Sequence, residues 1–317
     1  MCPTMSLITD SEIDTLLSQN RSKVLQLVEG AYRLFDQGQA IEVEPSYLRP
    51  PHDARARIIA KPACLYGEQP VAGLKWIASF PGNVAQGLPR ASGVLTLNSM
   101  DTGRAIGQLE CAAINAHRTS ASAVMALGKL HPREGKALSI AIVGTGVIAL
   151  ECAKYLVHEG WAPSTWLLHD LDATRLQAFA QALQALTPAV PVKAMAACND
   201  AVLEADISVF ATSAGVPHLG GIRLRADQTV LHISLRDLQN DVIEQAANFA
   251  DSAELAFTHA TSLNLAEQEA GHRHFYSGDI GTVLQGQRPE GKPVIFSPFG
   301  MAILDLAVGQ WALQNLR

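Results

Sequence analysis

Residues 137–150 read ALSIAIVGTGVIAL, the longest apolar run of the chain, interrupted by two glycines. It is too short to cross a bilayer. A buried strand that turns sharply into a helix accounts for both the run and its glycines. The turn is Gly144-Thr-Gly146-Val-Ile-Ala149. Gly144 allows the tight turn, Gly146 lets backbone approach a pyrophosphate, and Ala149 permits close packing of helix on strand. The free N–H groups of such a helix start favour bound phosphate. Gly144, Thr145, Gly146, Val147 and Ile148 are therefore candidate cofactor contacts.

The residues that follow strengthen this reading. The strand TWLLHD ends in Asp170, roughly 25 residues on, where an acid binds the adenosine ribose hydroxyls. A carboxylate there repels a 2′-phosphate, so the expected cofactor is NAD rather than NADP. The alternative for Asp170 is a plain helix cap. Downstream, ATRLQAFAQALQAL reads as a helix and PVKAM as a short strand, with a short helix around Asp200 to Glu204. The strands ISVFATS and TVLHISL follow, then a strand SPF near Pro298 and an amphipathic helix from Met301 to Leu316. Strand–helix alternation of this kind predicts a parallel, doubly wound sheet. Its carboxyl edge, where ligands bind, holds Thr212 and Ser213 and the stretch Ser234, Leu235 and Asp237.

Upstream the texture differs. Thr9 can cap a first helix and Ser22 can start a second, whose apolar face is Val24, Leu27, Val28, Ala31, Leu34 and Phe35. EVEPSYLRPPHDARAR reads as strand and loop. RIIAKPACL, VAGLKWIASF, GVLTLNS and AIGQLE are β-rich runs, the last two joined by the turn-like MDTG. They predict a mostly antiparallel or mixed sheet. A helix from Ile114 to Leu130 links the halves, and HPREGK ends it.

Bulk properties exclude some function classes. The chain has 317 residues, 48% hydrophobic and 17% charged, enough for two cores. A net charge of −6 argues against a nucleic-acid or anionic-membrane partner. The N-terminal MCPTMSLITDSE lacks a signal-peptide core. The five cysteines, Cys2, Cys64, Cys111, Cys152 and Cys198, are scattered, and neither they nor the ten histidines show metal-ligand spacing. The expected setting is a reducing cytoplasm, with no metal. His272 and His274, in GHRHFYSGD, read as a solvated loop, and Trp76 as core or pocket wall.

Several blocks carry a resemblance. GLKWIASFPGN, RASGVLTLN, LECAAINAHRTSASA, VGTGVIA and FGMAILD resemble the ornithine cyclodeaminase/μ-crystallin family, from about Ser46 to the C-terminus. Within it, YLR, RIIAKP, GLKWI, RASGV, HISLRDL and SPFGMAI are similar to the dehydrogenase branch that forms 2,3-diaminopropionate for staphyloferrin B-type siderophores. The resemblance implies a fold: a Rossmann domain over residues 117–302, and an α+β substrate and dimerisation domain over 1–116, completed by the helix 303–317. It implies a homodimer. It also implies a reaction, in which NAD takes hydride from the glutamyl α-carbon of N-(1-amino-1-carboxy-2-ethyl)-glutamate. The imine is then hydrolysed to 2-oxoglutarate and L-2,3-diaminopropionate.

By the same resemblance, Lys75 and Arg118 hold the α-carboxylate and Arg49 makes another carboxylate contact. Arg57 and Arg90 are further candidates, since arginine binds carboxylate bidentately. A proton must leave the amine before hydride does. Lys75, Asp237 and Glu110 are the candidate acceptors, and Asp305 a further carboxylate near the chemistry or simply a helix-dipole acid. The family's G-[GA]-D-x-P-G-K-x-E element is replaced here by SLRDLQNDVI, which argues against ornithine cyclisation. Asp237 can otherwise be read as an acid preceding a helix. Alanine dehydrogenase, ketimine reductase and ornithine cyclodeaminase activities stay open, as does a crystallin-like nucleotide-dependent binding protein.

Overall fold

The computed structural model describes residues 7–53, 55–131, 138–161 and 163–317. Cys2 and residues 132–136 of the helix-ending HPREGK stretch lie outside the described residues. The chain divides into two compact units, residues 1–118 with 300–317 and residues 119–299.

The first unit begins with β1 (Leu7–Ile8), α1 (Asp10–Gln19) and α2 (Arg21–Asp36). Thr9 caps α1 in a full capping box with Glu12. The predicted start of α2 at Ser22 is corrected: the N-cap is Asn20, whose amide turns back to the Leu16 carbonyl at 2.8 Å. The strands β2 (Ala40–Glu42), β3 (Ser46–Leu48), β4 (Arg57–Leu65), β5 (Val71–Ser79), β6 (Ala91–Ser99) and β7 (Ala105–Glu110) follow. Among the described residues, seven strands form a sheet in the order β1-β7-β6-β5-β4-β2, with β3 also on β4. It is antiparallel apart from β1 on β7, the mostly antiparallel sheet expected.

Register decides what the two faces carry. Lys61 lies opposite Lys75, Lys75 opposite Leu95, and Leu95 opposite Leu109, so these four share one face. The C-terminal helix, Ala302–Asn315, covers that face. It is not the amphipathic helix expected: Ile303, Leu304, Asp305, Leu306, Val308 and Gly309 are buried, on all sides of it. Glycines permit this close seat. A Cβ at Gly309 would meet Leu95 Cδ2 at 2.3 Å, and one at Gly73 would meet Leu306 Cδ2 at 2.6 Å. The opposite face presents Leu48, Leu74 and Trp76, all exposed. Trp76, 43% exposed, is therefore not a core residue: strand alternation with buried Lys75 turns it outward.

The helix α3 (Ala112–Leu130) runs from the first unit into the second. The second unit then contains β8 (Leu138–Val143), α4 (Val147–His158), β9 (Pro163–His169), α5 (Ala173–Leu186), β10 (Val192–Ala194), α6 (Cys198–Glu204), β11 (Ile207–Phe210) and β12 (Thr229–His232). After these come α7 (Asn240–Glu244), β13 (Ala247–Phe249), α8 (Ala253–Ala256), α9 (Ser262–Ala270), β14 (Tyr276–Gly278), α10 (Ile280–Leu284) and β15 (Val294–Phe296). The last strand is VIF rather than SPF, because Val294 to Phe296 pair with both β12 and β13. Among the described residues the sheet has eight strands, all parallel, in the order β10-β9-β8-β11-β12-β15-β13-β14. The chain thus winds outward from β8 in both directions, which is the doubly wound Rossmann arrangement. The crevice between β8 and β11 is its switch point.

Candidate active site

In the second unit the glycine turn lies at this switch point. Gly144 has φ +87°, and a Cβ there would stand 2.7 Å from the Ala211 carbonyl oxygen, so only glycine fits. Gly146 caps α4 without a side-chain bond and faces open space. Val147 beside it is 77% exposed. A diphosphate finds room here, with unserved N–H groups to meet it. Thr145 ties the turn to the end of β9: its N–H and its hydroxyl each donate to Asp170 Oδ2 at 2.7 Å. Burial would raise the Asp170 pKa, but these bonds and Arg175 hold it below the usual carboxylate range. Asp170 does not cap α5. Asp172 does, accepting from Thr174 and Arg175 N–H at 3.0 Å. The residues present fit a dinucleotide with free ribose hydroxyls.

The expected edge residues lie beyond β11 and β12. Ser213 is exposed, and Leu235 has φ +69°. The Thr212 and Ser234 hydroxyls both donate to Asp237, which is completely buried. Asp237 also faces His232 Nε2 at 3.1 Å and His218 Nε2 at 3.2 Å. Burial opposes its charge, yet the bonds from His218, His232 and Ser234 hold it far below the usual carboxylate range. It is no helix cap, since α7 starts after Gln239.

In the first unit a charged cluster lies between the sheet and the C-terminal helix. Lys75 Nζ is 2.9 Å from Asp305 Oδ1 and donates to Asn115 Oδ1 at 2.8 Å. Arg118 reaches the same two acceptors, Nη2 to Asn115 at 2.6 Å and Nε to Asp305 at 3.4 Å. Lys61 donates to the Gly300 carbonyl and lies 3.9 Å from Glu42. Glu42 in turn accepts from Ala302 N–H at 2.7 Å and Ile303 N–H at 3.1 Å, serving a helix start that has no cap of its own. Burial pushes the Lys75 ammonium down to about 8; neighbouring Arg118 adds to this and Asp305 opposes it. Burial would raise Asp305, but Arg118 and Lys75 outweigh it and keep the carboxyl ionised.

Among the described residues, Lys61 faces Glu42, and Lys75 and Arg118 share the one carboxylate of Asp305. The spare donors are identifiable. Among the described residues, Lys75 has one ammonium hydrogen unused, and the Nη1 end of the Arg118 fork has no partner. Nη1 lies at the Gly300 turn, where a Cβ would come within 2.7 Å of it. Conversely, Asp305 Oδ2 is buried and accepts no hydrogen bond among the described residues. A free cationic fork beside an orphan carboxylate oxygen suits a ligand that carries a carboxylate and an amine on one carbon.

The remaining candidates lie apart from this cluster. Glu110 Oε2 accepts from Asp10 N–H at 2.6 Å. Arg49 is exposed and stacks on Tyr47 at 5.3 Å, while half-buried Arg90 reaches Ser79 at 3.3 Å. Half-buried Arg57 lies at the start of β4. Sequence reading missed Lys61, Glu42, Asn115, His218 and His232. Asn115 was findable, three residues before Arg118 and so on the same helix face. The others meet their partners through strand register or loop closure. Among the described residues no three His, Cys, Asp or Glu side chains are grouped to hold a metal, and no helix is long and apolar enough to cross a membrane.

A sequence profile described as the Ornithine cyclodeaminase/mu-crystallin family matches residues 4–316. The chain belongs to that family. Its relatives include the N-((2S)-2-amino-2-carboxyethyl)-L-glutamate dehydrogenase of Staphylococcus aureus, 24% identical over 266 residues, which cover 82% of this chain and 79% of the relative. Among solved structures, the Δ1-pyrroline-2-carboxylate reductase of Thermococcus litoralis, in complex with NADH and L-proline, superposes with a TM-score of 0.88 at 20% identity. It covers 98% of this chain and 97% of its own. An archaeal alanine dehydrogenase dimer with bound NAD gives 0.86 at 22% identity, covering 98% and 95%. These superpositions show that the chain shares the fold of these enzymes over nearly its whole length.

Proposed function

We propose that this family member is an NAD-dependent dehydrogenase that oxidises the CH–NH bond of N-(1-amino-1-carboxy-2-ethyl)-glutamate, yielding L-2,3-diaminopropionate and 2-oxoglutarate. At the coarser level the chain is a nicotinamide-dependent oxidoreductase acting on an amino acid, as its named relatives in the family are. The observation that carries the reading is the pairing of spare Lys75 and Arg118 donors with the orphan oxygen of Asp305. The Staphylococcus aureus relative and the shared sequence blocks support the particular substrate.

When bound, NAD accepts the hydride. The residues of this chain supply the rest. Lys75 and Arg118 hold the glutamyl α-carboxylate, and Asp305 Oδ2 accepts from the adjacent ammonium. This fixes the α-carbon, and fixed orientation contributes a large part of such rate enhancements. Gly144, Gly146 and the start of α4 seat the pyrophosphate, and Asp170 faces the ribose. Arg49, Arg57 and Arg90 remain candidates for the substrate's outer carboxylates. Four described cysteines are free thiols, which supports the expected cytoplasmic setting. The exposed Leu48, Leu74 and Trp76 face supports a homodimer, the state of the archaeal alanine dehydrogenase.

A second reading has its own support. The buried cluster accounts for one carboxylate and one amine, which a small amino acid such as alanine also has. The test is direct: purified protein with NAD and the glutamate–diaminopropionate adduct is expected to produce NADH and 2-oxoglutarate. Arg118→Ala is expected to lower turnover by about 100-fold or more. NADH from alanine or a pyrroline-type amino acid, with none from the adduct, would select the second reading.

A further inference from the structure

The C-terminal helix is held at its start by another segment of the first unit. Met301, at the cap position, makes no side-chain hydrogen bond to the helix. Glu42, at the end of β2, takes that place from 260 residues away. Its Oε1 accepts from Ala302 N–H at 2.7 Å and its Oε2 from Ile303 N–H at 3.1 Å. Lys61, on the neighbouring β4, grips the same turn with the opposite polarity. It donates to the Gly300 carbonyl and stands 3.9 Å from Glu42. The Glu42 and Lys61 side chains are only 4% and 8% exposed, and charges so deeply buried require pairing.

Residues 300–303 are thus clamped to two strands of the sheet, and Asp305 follows two residues later in the same helix. Each residue of a helix turns it by about 100°. A slip of one residue would therefore swing Asp305 away from Lys75 and Arg118. The second effect is electrostatic. Lys61 lies directly opposite Lys75, a position in which like charges repel. Lys75 is otherwise faced by Arg118 from α3, Asp305 from the C-terminal helix and Cys111 just before α3, while β6 opposes it with Leu95. Glu42 answers the charge of Lys61, which then presses less on the Lys75 ammonium. Burial pushes the Glu42 carboxyl up; Lys61 and the Ala302 and Ile303 N–H groups oppose this, and Asp305 adds to it.

We propose that Glu42 and Lys61 are positioning residues of the reaction: together they fix the start of the C-terminal helix so that Asp305 meets the substrate amine, and their opposite charges keep the Lys75 anchor in balance. The assignment rests on the amino-acid dehydrogenase reading above. Both residues act through Asp305 and Lys75, and all four belong to the first unit.

The test compares wild type with Glu42→Gln, Lys61→Met and the double variant in two measurements. One is hydrogen–deuterium exchange; the other is the pH dependence of kcat/KM with NAD and the glutamate–diaminopropionate adduct or alanine. Glu42→Gln is expected to speed exchange over residues 302–306 about threefold or more. Its kcat/KM should fall about tenfold or more. The alkaline limb should move down by about one pH unit in Glu42→Gln, where Lys61 stands uncompensated, and up in Lys61→Met, where that charge is gone. The double variant should bring the limb back to the wild-type position. A merely structural role would lower activity without moving the limb in opposite directions. Should Glu42→Gln not fold, Lys61→Met alone decides, and a limb that stays or moves down overturns the proposal. Exchange equal to wild type over residues 302–306 overturns the clamp, whatever the substrate. Faster exchange with an unchanged kcat/KM profile overturns the role in the reaction and leaves the dehydrogenase reading standing. Absence of NADH from wild type with every amino acid tried overturns that role and the dehydrogenase reading together.

Discussion

Lys75 shows how much a position changes a residue. Its burial against Arg118 brings the ammonium down to about 8, while Asp305 and Asn115 keep two of its three donors engaged. Below about pH 8 it carries the charge that holds a substrate carboxylate. As pH rises through that value the charge is lost, so KM for the amino acid should rise and kcat/KM should fall on the alkaline side. Lys75→Arg keeps its charge there, and should lose that alkaline limb; the pH dependence of kcat/KM for both proteins checks it. A wild-type profile without an alkaline limb between about pH 7 and 9 counts against Lys75 as the anchor. Lys75 and Arg118 were legible from sequence because a resemblance marked them. Asp305 was visible only as an ambiguous acid, since nothing in a linear reading says that one carboxylate near the C-terminus meets cations from two distant segments.

At the level of elements, the C-terminal helix does the most unexpected work. Its sequence reads as an ordinary closing helix, yet it is buried on nearly every side and delivers Asp305 to the cluster. Its seat depends on absent side chains, Gly309 against Leu95 and Gly73 against Leu306. Gly309→Val would drive branched carbons into Leu95, and is expected to destabilise the protein by about 1–3 kcal/mol or more. Urea unfolding of the variant measures this, and a midpoint equal to wild type would contradict so tight a seat. The parallel-sheet elements were far easier to read. A continuous apolar strand, a glycine turn and an acid at the next strand end leave few alternatives. The short strands β13 and β14 and the helices α8 and α9 escaped notice because each is three to nine residues long and takes its order from neighbours rather than from periodicity.

For the molecule as a whole, the open question is what meets the outer face of the first unit's sheet. Leu48 on β3 and Leu74 and Trp76 on β5, the two strands that flank β4, are 52%, 39% and 43% exposed, and an apolar patch of this kind marks an interaction face. The expected occupant is a second copy of the chain. Trp76→Lys should therefore shift the particle from dimer to monomer in light scattering, whereas a wild-type protein that is already monomeric at micromolar concentration would refute the expectation.

The linear order of residues by itself determined the doubly wound sheet, the nucleotide turn and the partition into two textures. All of these follow from local periodicity and turn chemistry, which act over a few neighbouring residues. Tertiary structure alone decided which charges meet: Lys61 across from Lys75, Asp305 between Lys75 and Arg118, and His218 and His232 on Asp237. Coulomb and hydrogen-bond energies depend on distance in space. Only folding converts a separation such as the 230 residues between Lys75 and Asp305 into a contact of about 3 Å.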